Sequence, residues 1–184
     1  MTKKTILNVL LIILVGSFFV TPIGYHGKVL LNKLFAKTPK VILTENREQI
    51  SDYDWKLKNA EWDFFNFKNS KGNVVFINFW ASWRLPCAAE LQEVQKVYEA
   101  YKGRVDFYII TNEEKAPVEQ FMIENNFTFP VTYLIIGGKS PLEILEPPAS
   151  YILDKKGNIV VKELDIADWD NDTITTLLDT LIKE

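Results

Sequence analysis

Sulfur and imidazole are scarce in this chain of 184 residues, which holds one cysteine, Cys87, one histidine, His26, and two methionines. A lone cysteine cannot close an intrachain disulfide, so no cystine framework holds the fold together. One histidine and one cysteine leave a zinc site short of ligands, and neither a structural metal nor another cofactor is expected. Positive charge is not in excess either. The net charge is −3, and the lysines are scattered among acids without forming a stripe. That argues against a nucleic-acid partner. The acids Asp165, Asp168, Asp170 and Asp172 lack the spacing of a calcium loop; they precede a helix, where acids complement the dipole. Internal repeats and low-complexity segments are absent. What the chain does have is apolar mass: 47% hydrophobic and 13% aromatic residues, enough for one sizeable core.

Charge is missing altogether from residues 5–25, and residues 6–20 are almost wholly apolar. This is close to the ~20 residues that cross a bilayer as a helix. Lys3 and Lys4 precede the run, which favours a cytoplasmic N-terminus. A cleaved signal peptide is the alternative, with Val15-Gly16-Ser17 as its cleavage site. The apolar run continues through Phe18, Phe19 and Val20, which favours an uncleaved anchor. Lys28, Lys33, Lys37 and Lys40 follow closely, and by charge alone they pull the other side toward the cytoplasm as well. Val29, Leu30, Leu31, Leu34 and Phe35 fit one helical face. The spacing predicts a short amphipathic helix at the membrane interface with its lysines near lipid headgroups. Three parts are expected: a cytoplasmic N-terminus with a transmembrane anchor over residues 1–25, a juxtamembrane helix and polar linker over 26–50, and a folded domain over 51–184.

Within the domain, short edge strands are expected at residues 55–57 and 62–64. The run VVFINFW at 74–80 reads as a strand buried on both faces. Residues 86–101 have helical periodicity, with Leu91, Val94, Val97 and Tyr98 on one side and Gly103 closing the helix. VDFYIIT at 105–111 is a second buried strand, so strand, helix and strand form a parallel βαβ unit. A second helix is predicted over 117–125 and a strand or extended loop over 131–136. An antiparallel hairpin turns at Asp154-Lys155-Lys156-Gly157, and a last helix covers 172–182. The order implies an α/β fold with helices on both faces of a mixed sheet.

At the end of the first buried strand stands Trp80-Ala81-Ser82-Trp83-Arg84-Leu85-Pro86-Cys87, with Glu90 three residues on. Far away, Pro147-Pro148-Ala149-Ser150-Tyr151-Ile152-Leu153 forms a second motif. Together these resemble the thioredoxin superfamily, and more closely its membrane-anchored TlpA/ResA-type branch of thiol-disulfide oxidoreductases. The resemblance covers residues 51 to 184. It implies a thioredoxin-like fold, a central mixed sheet flanked by helices behind an N-terminal transmembrane helix. It also implies an extracytoplasmic location in a bacterial envelope. Trp80, Trp83, Pro86, Cys87 and Glu90 fall on the positions of the branch's tryptophans, Cys-x-Pro-Cys motif and glutamate. Pro148 falls on its cis-proline. Arg84 stands where the first cysteine belongs.

In such proteins the first cysteine is the exposed, low-pKa thiolate that attacks a disulfide, and the second resolves the mixed disulfide. With Arg84 in the first place, that two-cysteine cycle cannot run. Two readings follow. In the first, Cys87 acts as a single thiol, activated by the helix N-terminus and Arg84, with Glu90 tuning it. Its partners would be protein thiols or disulfides. In the second, Cys87 is buried and inert, and the groove around Trp83, Pro86, Pro148 and Ala149 holds extended peptide segments of envelope proteins without chemistry. Arg84 either binds an anionic partner or points into water. Trp83 is expected to cap the site and pack under it, while Phe76, Phe79 and Trp80 belong to the core.

Overall fold

The computed structural model describes residues 3–20, 22–144 and 146–184. Among the described residues seven strands form one mixed sheet: β1 Lys56–Lys58, β2 Phe64–Asn66, β3 Val75–Phe79, β4 Asp106–Thr111, β5 Val131–Leu134, β6 Ala149–Leu153 and β7 Ile159–Glu163. Their order across the sheet is β2-β1-β5-β4-β3-β6-β7. The pairs β3/β4 and β4/β5 are parallel, and the remaining pairs are antiparallel. The helices are α1 Lys3–Val20, α2 Pro22–Phe35, α3 Leu85–Tyr101, α4 Lys115–Asn125 and α5 Asp172–Lys183.

β3 is buried along its whole length, as its apolar run requires. Its side chains alternate between two cores. Phe76 joins Phe107 and Ile109 of β4 on one face, while Val75, Ile77 and Phe79 join Tyr108 and Ile110 on the other. On the first face α3 buries Leu91, Val94 and Val97, α4 buries Val118 and Phe121, and α5 buries Ile174, Leu178 and Leu181. Full burial of each such side chain contributes about 1.5–3 kcal/mol. The helices therefore flank the sheet, but among the described residues the buried part of each lies in the same core. Helices on both faces were expected. The reason for the difference is topological: β3-α3-β4-α4-β5 advances in one direction across the sheet, and right-handed crossovers then leave both helices on one side. The other face is covered by Ile50, Trp55 and Leu142 from loop segments and by Phe67 from a short 3-10 helix, Phe67–Ser70.

The N-terminal third departs furthest from expectation. The segment expected as cytoplasmic N-terminus and anchor, residues 1–25, is divided between α1 and α2, and Met1, Thr2 and Thr21 of it lie outside the described residues. No helix of the described residues is long and apolar enough to cross a membrane. The 15 residues from 6 to 20 rise only about 22 Å as a helix, short of the ~30 Å hydrocarbon core. The helix expected at the membrane interface is docked on the domain along one side. Val29 is buried, Tyr25 and Ala36 pack against the helix-side core, and Lys33 pairs with the buried Glu93 of α3. Nor does the expected linker hang free. The backbone of residues 41–50 runs along β7, with Ile42 N donating to Val160 O (2.8 Å), Ile159 N to Glu48 O (2.8 Å) and Ile50 N to Gly157 O (3.0 Å). This strap covers an edge that would otherwise expose unpaired backbone groups.

The hairpin turn beneath the strap depends on Gly157, at φ +82° with Tyr53 and Ile50 packed where a Cβ would stand. Gly157→Ala should lower the unfolding free energy in urea by about 1–3 kcal/mol, from the left-handed backbone and the clash together. Gly72→Ala, at φ +92° in open space, should cost only about 1 kcal/mol.

Candidate functional site

β3 ends at Phe79 and α3 begins at Leu85, and the loop between them is pinned on several sides. Trp80 N donates to Ile110 O (2.9 Å), and Arg84 N donates to Ala81 O (3.2 Å). Ser82 donates to the Glu113 carboxylate twice, from its backbone N (2.6 Å) and from its hydroxyl (2.7 Å). Thr111 Oγ1 fixes that carboxylate from β4 (3.2 Å). Glu113 is thus the clamp of the loop. The sequence gives no sign of it, since an acid two residues beyond a strand carries no motif; only its pairing with Ser82 in space reveals it.

Trp80 is fully buried and its ring packs 5.4 Å from that of Phe121. Trp83 is 73% exposed. It does not pack beneath the site as expected, because Trp80 fills the inward position and the loop turns Trp83 outward. Arg84 occupies the N-cap of α3 without a side-chain capping bond, and its carbonyl accepts from Ala88 N (3.1 Å). Its guanidinium stands over the Trp83 ring, 5.6 Å from the centroid, and 3.8 Å from Glu146 Oε2. Half-buried and paired, Arg84 is not simply solvated. Glu146 is almost fully exposed, so this ion pair contributes at most about 1 kcal/mol. Its value is positional: it joins the loop before α3 to the segment before Pro147.

That segment carries the other motif. The Pro147–Pro148 peptide bond is cis, and Pro148 and Ala149 are buried. β6 pairs with β3 so that Ala149 lies opposite Phe79 and Ser150 opposite Asn78. The register thereby brings both motifs to one end of the sheet. Pro86, in the first turn of α3, is half-buried. Ile136 and Ile144 are exposed, and Ile144 lines a cavity of about 60 Å³ with Phe79, Trp80, Thr111, Leu134 and Pro147.

Cys87 has no solvent exposure. Burial pushes its thiol up to about 12; the Ala81 backbone N–H and the Arg84 charge favour the thiolate, but they do not offset desolvation. Three residues on, Glu90 is buried too, in a polar cluster. Its Oε1 accepts from Trp169 Nε1 (2.8 Å) and Ala167 N (3.3 Å), and its Oε2 accepts from Asn78 Nδ2 (2.9 Å). Asn78 Nδ2 also lies 2.9 Å from Ser150 Oγ. Burial raises the Glu90 carboxyl to about 7 despite these donors. Of the residues singled out in sequence, Arg84, Trp83, Pro86, Cys87 and Glu90 thus share one helix start. Trp83, Arg84 and Pro86 reach the surface, while Cys87 and Glu90 lie beneath it. Chemically, the arrangement presents a guanidinium, an indole and an apolar rim, with the thiol beneath.

Comparison with known proteins gives a consistent picture. The AhpC/TSA family model matches residues 51–162. A thiol-disulfide oxidoreductase ResA of Bacillus cereus is 30% identical over 147 residues, covering 76% of this chain and 79% of ResA. The thioredoxin-like protein YneN of Bacillus subtilis is 29% identical over 163 residues, covering 86% of this chain and 88% of YneN. Among solved structures, a DsbF homologue from Corynebacterium diphtheriae superposes with a TM-score of 0.61 at 18% identity, over 80% of this chain and 94% of its own. That likeness establishes the thioredoxin-like fold.

The raised Glu90 carboxyl ties stability to pH. Its ordinary value is 4.5 and its folded value about 7, so between those two the folded state binds the extra proton. Stability then falls as pH rises through that window, at most about 1.4 kcal/mol per unit. Urea unfolding of the wild type should show a loss on the order of 3 kcal/mol from pH 4.5 to pH 8 from this group. Glu90→Gln should lack that component, and an unchanged pH slope in the variant would refute the assignment.

Proposed function

This chain belongs to the AhpC/TSA family, with thiol-disulfide oxidoreductases among its relatives, and we propose that it binds protein partners on that fold without exchanging disulfides. The observation that carries this reading is the burial of Cys87 behind Arg84. A thiol held near 12 is ionised in on the order of one molecule in 10⁵ at pH 7, too few for the nucleophile of an exchange reaction. Arg84, where an attacking cysteine would stand, cannot form a mixed disulfide. The partners are protein thiols or disulfides of the kind the relatives act on, held as extended segments against Pro148 and Ala149 with Trp83 and Arg84 beside them. The exposed rim of Trp83, Ile136 and Ile144 supports contact with an apolar side chain.

The protein is attached to a membrane on the extracytoplasmic side of a bacterial envelope, and the attachment is through α1. Ile6, Leu7 and residues 9–15 are exposed on every side of this helix. An apolar surface all round suits lipid and not water. Residues 51–184 form the binding domain, and residues 26–50 join it to the membrane segment.

The single-thiol alternative keeps one supporting feature, since Arg84 and the Ala81 N–H both favour the thiolate. Alkylation separates the two. In the folded protein, modification of Cys87 should be far slower than in urea and should titrate well above ~8.5. A midpoint below that value, moving up in Arg84→Ala, would overturn the binding-only reading. A gain-of-function variant gives a second test. Arg84→Cys places a thiol at the half-exposed N-cap, and should turn a chain without insulin reductase activity into one with measurable activity.

A further inference from the structure

α2 has two apolar faces, and only one of them is covered. Toward the domain it presents Tyr25 and Val29 to the core, with Ala36 just beyond its end and Lys33 paired to Glu93. Away from the domain Leu30 is 60%, Leu31 46%, Leu34 73% and Phe35 73% exposed. These four fall at i, i+1, i+4 and i+5, a continuous stripe along the helix. A helix that merely capped the domain would carry polar residues there. Beyond α2 the chain has no slack, because Lys37 O accepts from Asp168 N (3.0 Å), Pro39 is buried and the strap follows β7.

We propose that the outer stripe of α2 lies in the surface of a lipid bilayer, so that α2 seats the domain on the membrane in one fixed orientation. This rests on the attachment through α1 proposed above and deepens it. Two features name lipid as the occupant. The stripe is continuous in the chain with α1, whose apolar residues are exposed all round. Before Glu45 the sequence holds six lysines and no acid, while the whole chain has a net charge of −3; the basic end matches an anionic headgroup layer. A second copy fits less well. It would set lysines against lysines, and four side chains fall short of the ~800 Å² per partner of a stable interface. Because Lys33 ties α2 to the middle of α3, and α3 begins at the site, the site would be held at a set height above the lipid.

The test uses the full chain in a Cys87→Ser background, reconstituted in phosphatidylcholine vesicles with and without phosphatidylglycerol. Single cysteines replace Ile12, Leu30, Leu34 and, at the far edge of the sheet, Phe64, each carrying an environment-sensitive dye. The proposal expects dyes at 12, 30 and 34 to be quenched severalfold more by nitroxide lipid than the dye at 64. Iodide should show the reverse order, and phosphatidylglycerol should strengthen the lipid quenching at 30 and 34. Lipid quenching at 12 alone, with 30 and 34 open to iodide, would overturn the inference and leave the α1 attachment standing. All four dyes open to iodide would remove the attachment as well. Shielding at 30 and 34 from both quenchers, with cross-linking between copies, would assign the face to a second copy and also overturn it. Energy transfer from the dye at 64 to a headgroup dye tests the fixed orientation. It should report one distance in this chain and a broad range in Lys33→Glu, whereas a broad range in both would refute the seating.

Discussion

A carboxylate taken out of water must find its hydrogen bonds within the protein, and Glu90 finds them on three separate elements. Trp169 and the Ala167 N–H come from the segment before α5, Asn78 comes from the central strand, and Glu90 itself sits one turn into α3. Each donor that left would strand a buried acceptor, at about 1–3 kcal/mol apiece. The first turn of α3 is therefore located relative to β3, and through Ser150 to β6. The loop from Trp80 to Arg84 has little freedom left. Its far end runs into the α3 turn that Glu90 holds, its middle is clamped at Ser82 by Glu113, and its near end is bonded to β4 through Trp80 N and Ile110 O.

That anchoring explains why the site looks as it does. With the helix start drawn down onto the sheet, Cys87 and Glu90 face inward and lose their water, and both ionise with difficulty. The same helical turn puts Arg84 at the N-cap, partly in solvent, where a cation works against the helix dipole by ~0.3–1 kcal/mol. The residue is held there by the Trp83 ring and Glu146, not by capping. The thioredoxin-like fold is thus present, with a guanidinium at the start of α3 and the thiol buried beneath it. On the function proposed above, binding survives such an arrangement and a dithiol cycle does not.

The N-terminal segment follows a comparable logic at larger scale. Lys33 offsets the buried charge of Glu93, with Lys96 on its other oxygen at 3.0 Å. The strap then closes the β7 edge with backbone hydrogen bonds. From α2 onward the helix and the linker form a continuous wrap, part of the same folded unit as the sheet.

Local order was legible in the sequence because it is written in local periodicities. The buried run at 74–80, the 3.6-residue pattern of α3 and the turn at residues 154–157 each fixed an element within a residue or two. The tryptophans, Pro86, Cys87 and the distant proline pair were enough to indicate the thioredoxin-like fold. Whether Val29 and Leu30 share a surface, whether Glu113 holds Ser82, and which of Trp80 and Trp83 goes inside depend on neighbours dozens of residues away. So does the state of Cys87: its position beside a cation and a helix N-terminus could be read from the sequence, but its desolvation is a property of everything packed around it. Sequence spacing determined the elements and the missing thiol. Tertiary packing alone decided that the helices share one face, that residues 41–50 strap the sheet edge and that the remaining thiol is out of reach, because burial is settled by contacts between segments that the chain order keeps apart.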